Sequence, residues 1–250
     1  MRESPSALSP IPARWSAPAN DRVLSLITRS YETLEERVSL GTRELSILRV
    51  ADPDALVDAL DPLTFARDER LPYWADLWTS SIGLARWFDR SSWIASRTLC
   101  ELGCGVGLAG IAAACAGARV TMTDYEEDAL LFAHHNCRRN LAAPYPALEL
   151  LDWRAPGDIG RFDIVAGADI AYERDRFWFL LKLFRRLLNP DGVVVLADPG
   201  RQIGADFLAC ARQDGLRVRT EVIPVERRGI LTGVHVHQLS VSDHDPAGMP

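Results

Sequence analysis

With 250 residues, 48% of them hydrophobic and 25% charged, and a mean hydropathy of -0.03, the chain is long enough to bury one full core. No run reaches the ~18 apolar residues of a membrane span, and a net charge of -6 argues against binding along phosphate backbones. Five cysteines, an odd number, do not read as a disulfide framework, so the composition points to a cytoplasmic, reducing setting.

Residues 1–19 carry Pro5, Pro10, Pro12 and Pro18 among Ser and Ala and read as a flexible tail. Arg2 and Arg14 sit in the acid-poor surroundings of a transit peptide, but Glu3 and the prolines break the amphipathic helix such a signal needs. From Asp21 onward, Val23, Leu24, Ile27, Tyr31 and Leu34 fall at helical spacing, with Asn20 as the N-cap. Val38 to Leu40, the Gly41-Thr42 turn and Leu45 to Leu48 predict a hairpin. Pro53 to Leu60 predicts a short helix with Asp52 as its N-cap and Pro53 in its first position. This front portion, 20–70, is too small for its own core and is expected to be an extension packed on a main domain over 71–242. Residues 243–250 read as a second tail.

Past Pro72 the pattern becomes regular. Strand-length apolar runs cover Thr98–Leu102, Arg119–Thr123, Ala147–Leu151, Phe162–Ala168 and Val193–Ala197. Amphipathic helices are expected between most of them, at Leu108–Ala116, Glu127–Asn140, Arg174–Leu188 and Ala205–Gln213, while the connection after Leu151 is short and irregular. Alternating strands and helices imply right-handed crossovers and a parallel sheet covered on both faces, an α/β fold. The end differs: Leu216–Ile223, a turn around Arg227–Gly229 and Thr232–Val241 predict an antiparallel hairpin at one edge.

The sharpest local signal is Glu101-Leu102-Gly103-Cys104-Gly105-Val106-Gly107, directly after the first strand of this regular part. Glycines there admit positive φ and let a ligand approach main-chain N–H groups at a helix start. Gly105-Val106-Gly107-Leu108-Ala109-Gly110 fits the dinucleotide fingerprint, yet that fingerprint wants its first glycine at the strand end, where Gly103 already sits. Asp124 closes the second strand, where a carboxylate accepts ribose hydroxyls or caps a helix. Leu151-Asp152-Trp153 closes the third. Gly167-Ala168-Asp169-Ile170-Ala171-Tyr172 leaves the fourth, at the sheet end where open α/β folds place their sites. A carboxylate beside an aromatic ring is suited to orienting an amine, and a helix cap is its competing role.

The acid-x-Gly-x-Gly-x-Gly loop resembles motif I of the class I S-adenosylmethionine methyltransferases. Pro72-Tyr73-Trp74-Ala75-Asp76-Leu77-Trp78, Leu84-Ala85-Arg86, Leu151-Asp152-Trp153, Asp169-Ile170-Ala171-Tyr172 and Asp198-Pro199-Gly200-Arg201 extend the likeness over Leu71 to Ser240. Together they resemble the seven-β-strand protein lysine methyltransferases, the group that includes the enzyme modifying the electron-transfer-flavoprotein β subunit. The resemblance implies a Rossmann-like seven-stranded sheet and S-adenosyl-L-methionine as cofactor. It implies cofactor contacts at Trp78, Glu101, Gly103, Cys104, Gly105, Gly107, Asp124, Tyr125, Asp152, Trp153 and Ala168, and places Asp169 and Tyr172 at the methyl acceptor. Where the flavoprotein-directed enzymes carry Trp-Pro-Gly-Gly, this chain reads Trp78-Thr79-Ser80-Ser81-Ile82-Gly83.

The expected function is therefore N-methylation, with a protein lysine as acceptor or else a small-molecule amine. The front hairpin and helix are placed to cover the acceptor pocket. Neither nucleic acid nor membrane is an expected partner: the acidic surface disfavours nucleic-acid methylation, and the strand-four motif lacks its Pro-Pro. An NAD-binding oxidoreductase and a non-catalytic cofactor-binding scaffold are the readings from other classes. His134-His135 on a helix point apart, and His235 and His237 share a strand face without a third ligand, so no metal is expected. Cys100 and Cys104 read as packing residues, as do Trp87 and Trp93, with Trp15 in the tail. Arg138-Arg139, Arg185-Arg186 and Arg227-Arg228 read as solvated faces.

Overall fold

The structure is a computed structural model that describes residues 20–59 and 71–240. The expected tails, Trp15 and the end of the Pro53–Leu60 helix lie outside them. Helix α1 (Asn20–Ser30) buries Val23 and Ile27, four residues apart on one face. It ends before Tyr31. Leu34, expected on the same stripe, belongs instead to β1 (Thr33–Ser39), where it is exposed. Strand β1 pairs antiparallel with β2 (Glu44–Val50), whose Leu45 and Ile47 point to the core. Helix α2 (Pro53–Asp58) starts as its sequence dictates, with the Asp52 carboxylate accepting the Ala55 N–H at 3.2 Å.

A 3-10 turn at Tyr73–Ala75 leads into α3 (Thr79–Asp89), then β3 (Thr98–Leu102), α4 (Leu108–Cys115), β4 (Arg119–Asp124), α5 (Glu127–Asn140) and β5 (Ala147–Leu150). There follow β6 (Phe162–Ala168), α6 (Phe177–Leu187), β7 (Leu188–Asp198), α7 (Gln202–Gln213), β8 (Arg217–Arg227) and β9 (Ile230–Ser240). The seven strands from β3 onward form one sheet in the order β5-β4-β3-β6-β7-β9-β8. Strands β3 to β7 run parallel, and β9 lies antiparallel to both its neighbours. Strand order reverses between β3 and β6, so a crevice opens at their carboxyl ends.

Both sheet faces are covered. Leu99, Met122, Ile164 and Val195 face the layer of α3, α4 and α5, whereas Cys100, Leu102, Val165 and Val194 face α6 and α7. Helix α3 approaches the sheet at Gly83, where an added Cβ would come within 2.4 Å of Val234. The C-terminal strands run longer than their apolar patterns indicate. Pro224 interrupts the pattern but not β8, because β8 is the sheet edge and Pro is tolerated there. The turn narrows to Arg228-Gly229, both at positive φ (52° and 76°), as a type I′ hairpin requires.

The front hairpin is tied to α5 through two asparagines one turn apart. Asn136 Oδ1 accepts the Leu48 N–H at 2.8 Å, and its Nδ2 donates to Leu48 O and Val106 O at 2.9 Å. Asn140 repeats the pattern on Ser46 N–H and Ser46 O. These amides satisfy the β2 backbone as another strand would. Asn136 is fully buried, so Asn136→Ala would leave several polar groups without partners. We expect a loss of about 3 kcal/mol by urea unfolding. An unchanged midpoint would show that the amide contributes nothing.

One expected solvated face is corrected. Arg227 is mostly buried between Glu36 Oε1 at 3.2 Å and Asp76 Oδ1 at 3.1 Å, joining the hairpin turn to β1 and to the segment before α3. Burial of its aliphatic stem and two carboxylates at complementary positions account for this. Arg185 is half-exposed and pairs with Asp214, and Arg138 stacks over the Tyr145 ring at 4.5 Å. All five cysteines are free thiols, with Cys100, Cys104 and Cys137 buried. Trp87 is buried as expected and donates its indole N–H to Glu221.

Candidate functional site

A cleft of about 740 Å³ lies at the carboxyl ends of β3, β4 and β6, within the size range of small-molecule and cofactor sites. Trp78, Glu101, Gly103, Cys104, Gly105, Asp124, Tyr125, Asp152, Trp153, Ala168, Asp169 and Tyr172 all line it. Gly107 does not. It stands behind the loop as the N-cap of α4 at a φ of 89°, and an added Cβ would press on Ala133 and Met122 at 3.1 Å. Its glycine serves packing between α4 and α5.

No residue among 20–59 lines the cleft, so the expected cover from the front hairpin and helix is corrected. That hairpin leans on α5, as the asparagine pairs require.

The glycine loop is held open by a carboxylate. Asp124 Oδ2 accepts the Gly105 N–H at 2.9 Å, while Oδ1 accepts the N–H groups of Tyr125 and Glu126. Gly103 and Gly105 have φ values of 64° and 51°, the left-handed region glycine tolerates best. A Cβ on Gly105 would also crowd the Trp74 carbonyl at 3.2 Å. Asp124 therefore bridges the ends of β3 and β4, a role local sequence does not reveal. Burial raises its carboxyl to about 6, opposed by the Gly105 and Glu126 N–H groups.

Glu101 lies on the cleft floor beneath the start of α4. Its Oε2 is buried without a hydrogen-bond partner among the described residues, and burial, opposed by the Gly110 N–H, pushes its carboxyl up to about 8. A carboxyl raised on folding from about 4.5 to about 8 favours the folded state at low pH. That contribution is lost as pH rises through this window. Glu101→Gln should therefore gain on the wild type by on the order of 3 kcal/mol between about pH 5 and pH 8 in urea unfolding. Parallel stability curves for the two proteins would contradict this.

Two walls complete the cleft. Trp153 follows β5, and its ring lies 3.6 Å from where a Gly103 Cβ would be. The adjacent Asp152 is engaged by Arg154, which donates Nε and Nη2 to its carboxylate. Opposite stands an aromatic row: Trp78 against Tyr73 at 5.8 Å, and Tyr73 against Tyr172 at 5.9 Å, both edge-on. The Trp78 indole N–H donates to the Tyr73 carbonyl at 2.7 Å, which orients the ring.

Asp169 stands where β6 ends, at a φ of 57° unusual for a residue with a side chain, and its N–H donates to Ala197 O at 2.8 Å. It caps no helix. Arg201 donates Nη1 to Asp169 Oδ1 at 2.9 Å and Nη2 to Oδ2 at 3.0 Å, and Ser80 Oγ lies 3.5 Å from Oδ2. Burial raises the Asp169 carboxyl above its ordinary range, opposed first by Arg201. Burial likewise raises the Tyr172 phenol. The Arg201 contact escapes a reading of motifs because 32 residues separate the pair. Its one signal is an Arg after the Pro-Gly turn closing a buried strand.

Helix-start glycines, two acids and an indole around a cleft at the switch point suit a nucleoside-bearing cofactor. The comparisons agree on the fold. Ribosomal protein L11 methylase from Lactobacillus delbrueckii subsp. bulgaricus superposes with a TM-score of 0.54 at 19% identity, covering 80% of this chain and 97% of its own. Magnesium protoporphyrin IX methyltransferase from Synechocystis PCC 6803, solved with bound SAM, gives 0.51 at 19% identity, covering 76% and 97%. The fold is that of Rossmann-like methyltransferases.

Within that class the chain belongs to the lysine methyltransferase family, whose model matches residues 60–211. Protein N-lysine methyltransferase METTL21A of Danio rerio is 34% identical over 136 residues, 52% of this chain and 62% of that protein. Electron transfer flavoprotein beta subunit lysine methyltransferase of Danio rerio is 31% identical over 133 residues, 52% of this chain and 51% of that protein. The chain thus spans between about half and two-thirds of the length of these curated relatives. Among the described residues no helix is long and apolar enough to cross a membrane.

Proposed function

We propose that the protein is an S-adenosylmethionine-dependent N-methyltransferase whose acceptor is a lysine side chain of another protein. The observation carrying this reading is Asp169, a mostly buried carboxylate beside the Tyr73–Tyr172 aromatic wall, sharing one cleft with the glycine loop. Relatives named as protein N-lysine methyltransferases support the acceptor class. The free cysteines support a reducing, cytoplasmic setting.

The cleft fits the cofactor. Asp124 keeps a lone pair on Oδ2 for a ribose hydroxyl, Trp153 presents a ring for adenine, and Glu101 brings an unpartnered carboxyl oxygen to the floor. When bound, S-adenosylmethionine supplies a sulfonium methyl for in-line displacement by an amine. The chain's own residues do the rest. Trp78, Tyr73 and Tyr172 form an aromatic wall on the acceptor side, and such a partly apolar wall favours the neutral amine over the ammonium. Asp169 accepts an amine N–H, which points the nitrogen lone pair into the cleft.

The test is incubation of the protein with methyl-labelled cofactor and a fractionated lysate. Label on a protein band is expected, and label confined to small molecules overturns the reading. Lys182, the chain's one lysine, is exposed on α6, so Lys182→Arg removes self-labelling on lysine from that assay.

A further inference from the structure

An acceptor-orienting carboxylate would ordinarily be expected to stand free, yet Asp169 is clamped through both oxygens by Arg201. The clamp is built into the fold. Gly200, at a φ of 79°, turns the chain after β7, and Asp198 Oδ1 accepts the Gly200 N–H at 2.6 Å. Asp198 Oδ2 in turn meets His237 Nε2 at 2.7 Å, and His237 Nδ1 meets Thr220 Oγ1 at 2.8 Å. His237 is buried, so a chain from β8 through β9 fixes the turn that delivers Arg201. Asp169 and Arg201 both line the cofactor cleft.

We propose that Arg201 is a positioning residue that makes the acceptor seat select a neutral amine over an ammonium. This rests on the amine-acceptor reading above. A bare, buried carboxylate attracts a protonated lysine as an ion pair, raises the lysine's pKa and holds it in a form without a lone pair. Nitrogen in that form cannot attack a methyl group. With Arg201 in place the seat carries no net charge, yet Asp169 Oδ1, which takes only the Arg201 Nη1 bond, keeps a lone pair to accept an amine N–H. The lysine proton passes to solvent water before the amine is seated, and the nitrogen lone pair stays free.

The other groups facing Asp169 do not replace this effect. Asp198, at the end of β7, adds negative charge and opposes it, and Ser80 from α3 is uncharged. Tyr172 follows Asp169 beyond Ile170 and Ala171 and faces Glu173, Arg176, Tyr73 and Asp124. The pair's cation comes from Arg201.

The experiment measures binding of n-butylammonium, a lysine side-chain probe, and of n-butanol, its neutral analogue, at pH 7. It compares wild type, Arg201→Gln and Arg201→Lys. Arg201→Gln should bind n-butylammonium about tenfold tighter, since the opposing unit charge is gone, with n-butanol affinity unchanged. Arg201→Lys, which keeps the charge, should behave as wild type. On a labelled lysate acceptor, Arg201→Gln should also lower kcat at neutral pH without raising KM, with its acid limb moved up by about one pH unit.

Equal n-butylammonium affinity in wild type and Arg201→Gln would overturn the proposal. A merely structural Arg201 would instead weaken both probes alike, which also overturns it. Absence of any labelled protein would defeat the lysine reading by itself, and the probe comparison would still be decided on its own result.

Discussion

Asp169→Ala is expected to cut methyl transfer by at least about a hundredfold while S-adenosylmethionine affinity stays within about threefold of wild type. The separation follows from place. Asp169 sits beside Tyr172 on the proposed acceptor side, whereas the glycine loop is organised by Asp124. Loss of the carboxylate removes the acceptor for an amine N–H and leaves the Arg201 guanidinium alone at the seat, repelling the charge that forms on nitrogen. Single-turnover methylation and calorimetry on the same preparation check both halves. Retained turnover in a folded variant would remove Asp169 from the mechanism.

Asp124→Ala should do the reverse, lowering cofactor affinity by at least about a hundredfold. One carboxylate holds the N–H groups of Gly105, Tyr125 and Glu126, so its removal loosens the glycine loop as well as the proposed ribose seat. Three buried or half-buried donors lose a charged acceptor together, each bond to a charged group being worth about 1.5–3 kcal/mol. Calorimetric titration with S-adenosylmethionine measures the effect. Unchanged affinity would mean that the loop holds its shape through its glycine dihedrals alone. Comparison with NAD on the wild type separates the methyltransferase from the oxidoreductase reading.

The glycine loop and the β4 carboxylate were legible in the sequence because their signals are local. An acid, three glycines and a strand end lie within a few residues, and the backbone geometry they require admits few substitutes. The β3 and β6 boundaries, and those of β5 to within one residue, were similarly legible from strand-length, mostly apolar runs between turn residues. Contacts made by topology were not. Arg201 reaches Asp169 only because β6 and β7 are neighbours in the sheet. Arg227 looks like one of several surface pairs until β8 brings it against Glu36 and Asp76.

Asn136 and Asn140 give a subtler case. Polar residues four apart on a helix ordinarily mark a solvent face, and only burial of Asn136 beside Ala133 and Cys137 identifies the stripe as a docking seam. Gly107 errs in the opposite direction. It completes the motif on paper, yet tight packing against α5 explains it and the cleft does not include it.

In the proposed reaction a methyl group goes from S-adenosylmethionine to the Nζ of a lysine in another protein. The most direct measurement is amino-acid analysis of an acid-hydrolysed lysate protein labelled by the Lys182→Arg variant with methyl-labelled cofactor. Label in methylated lysine alone is the predicted result. Label in methylated arginine or histidine, or recovered only in the small-molecule fraction, would contradict the account.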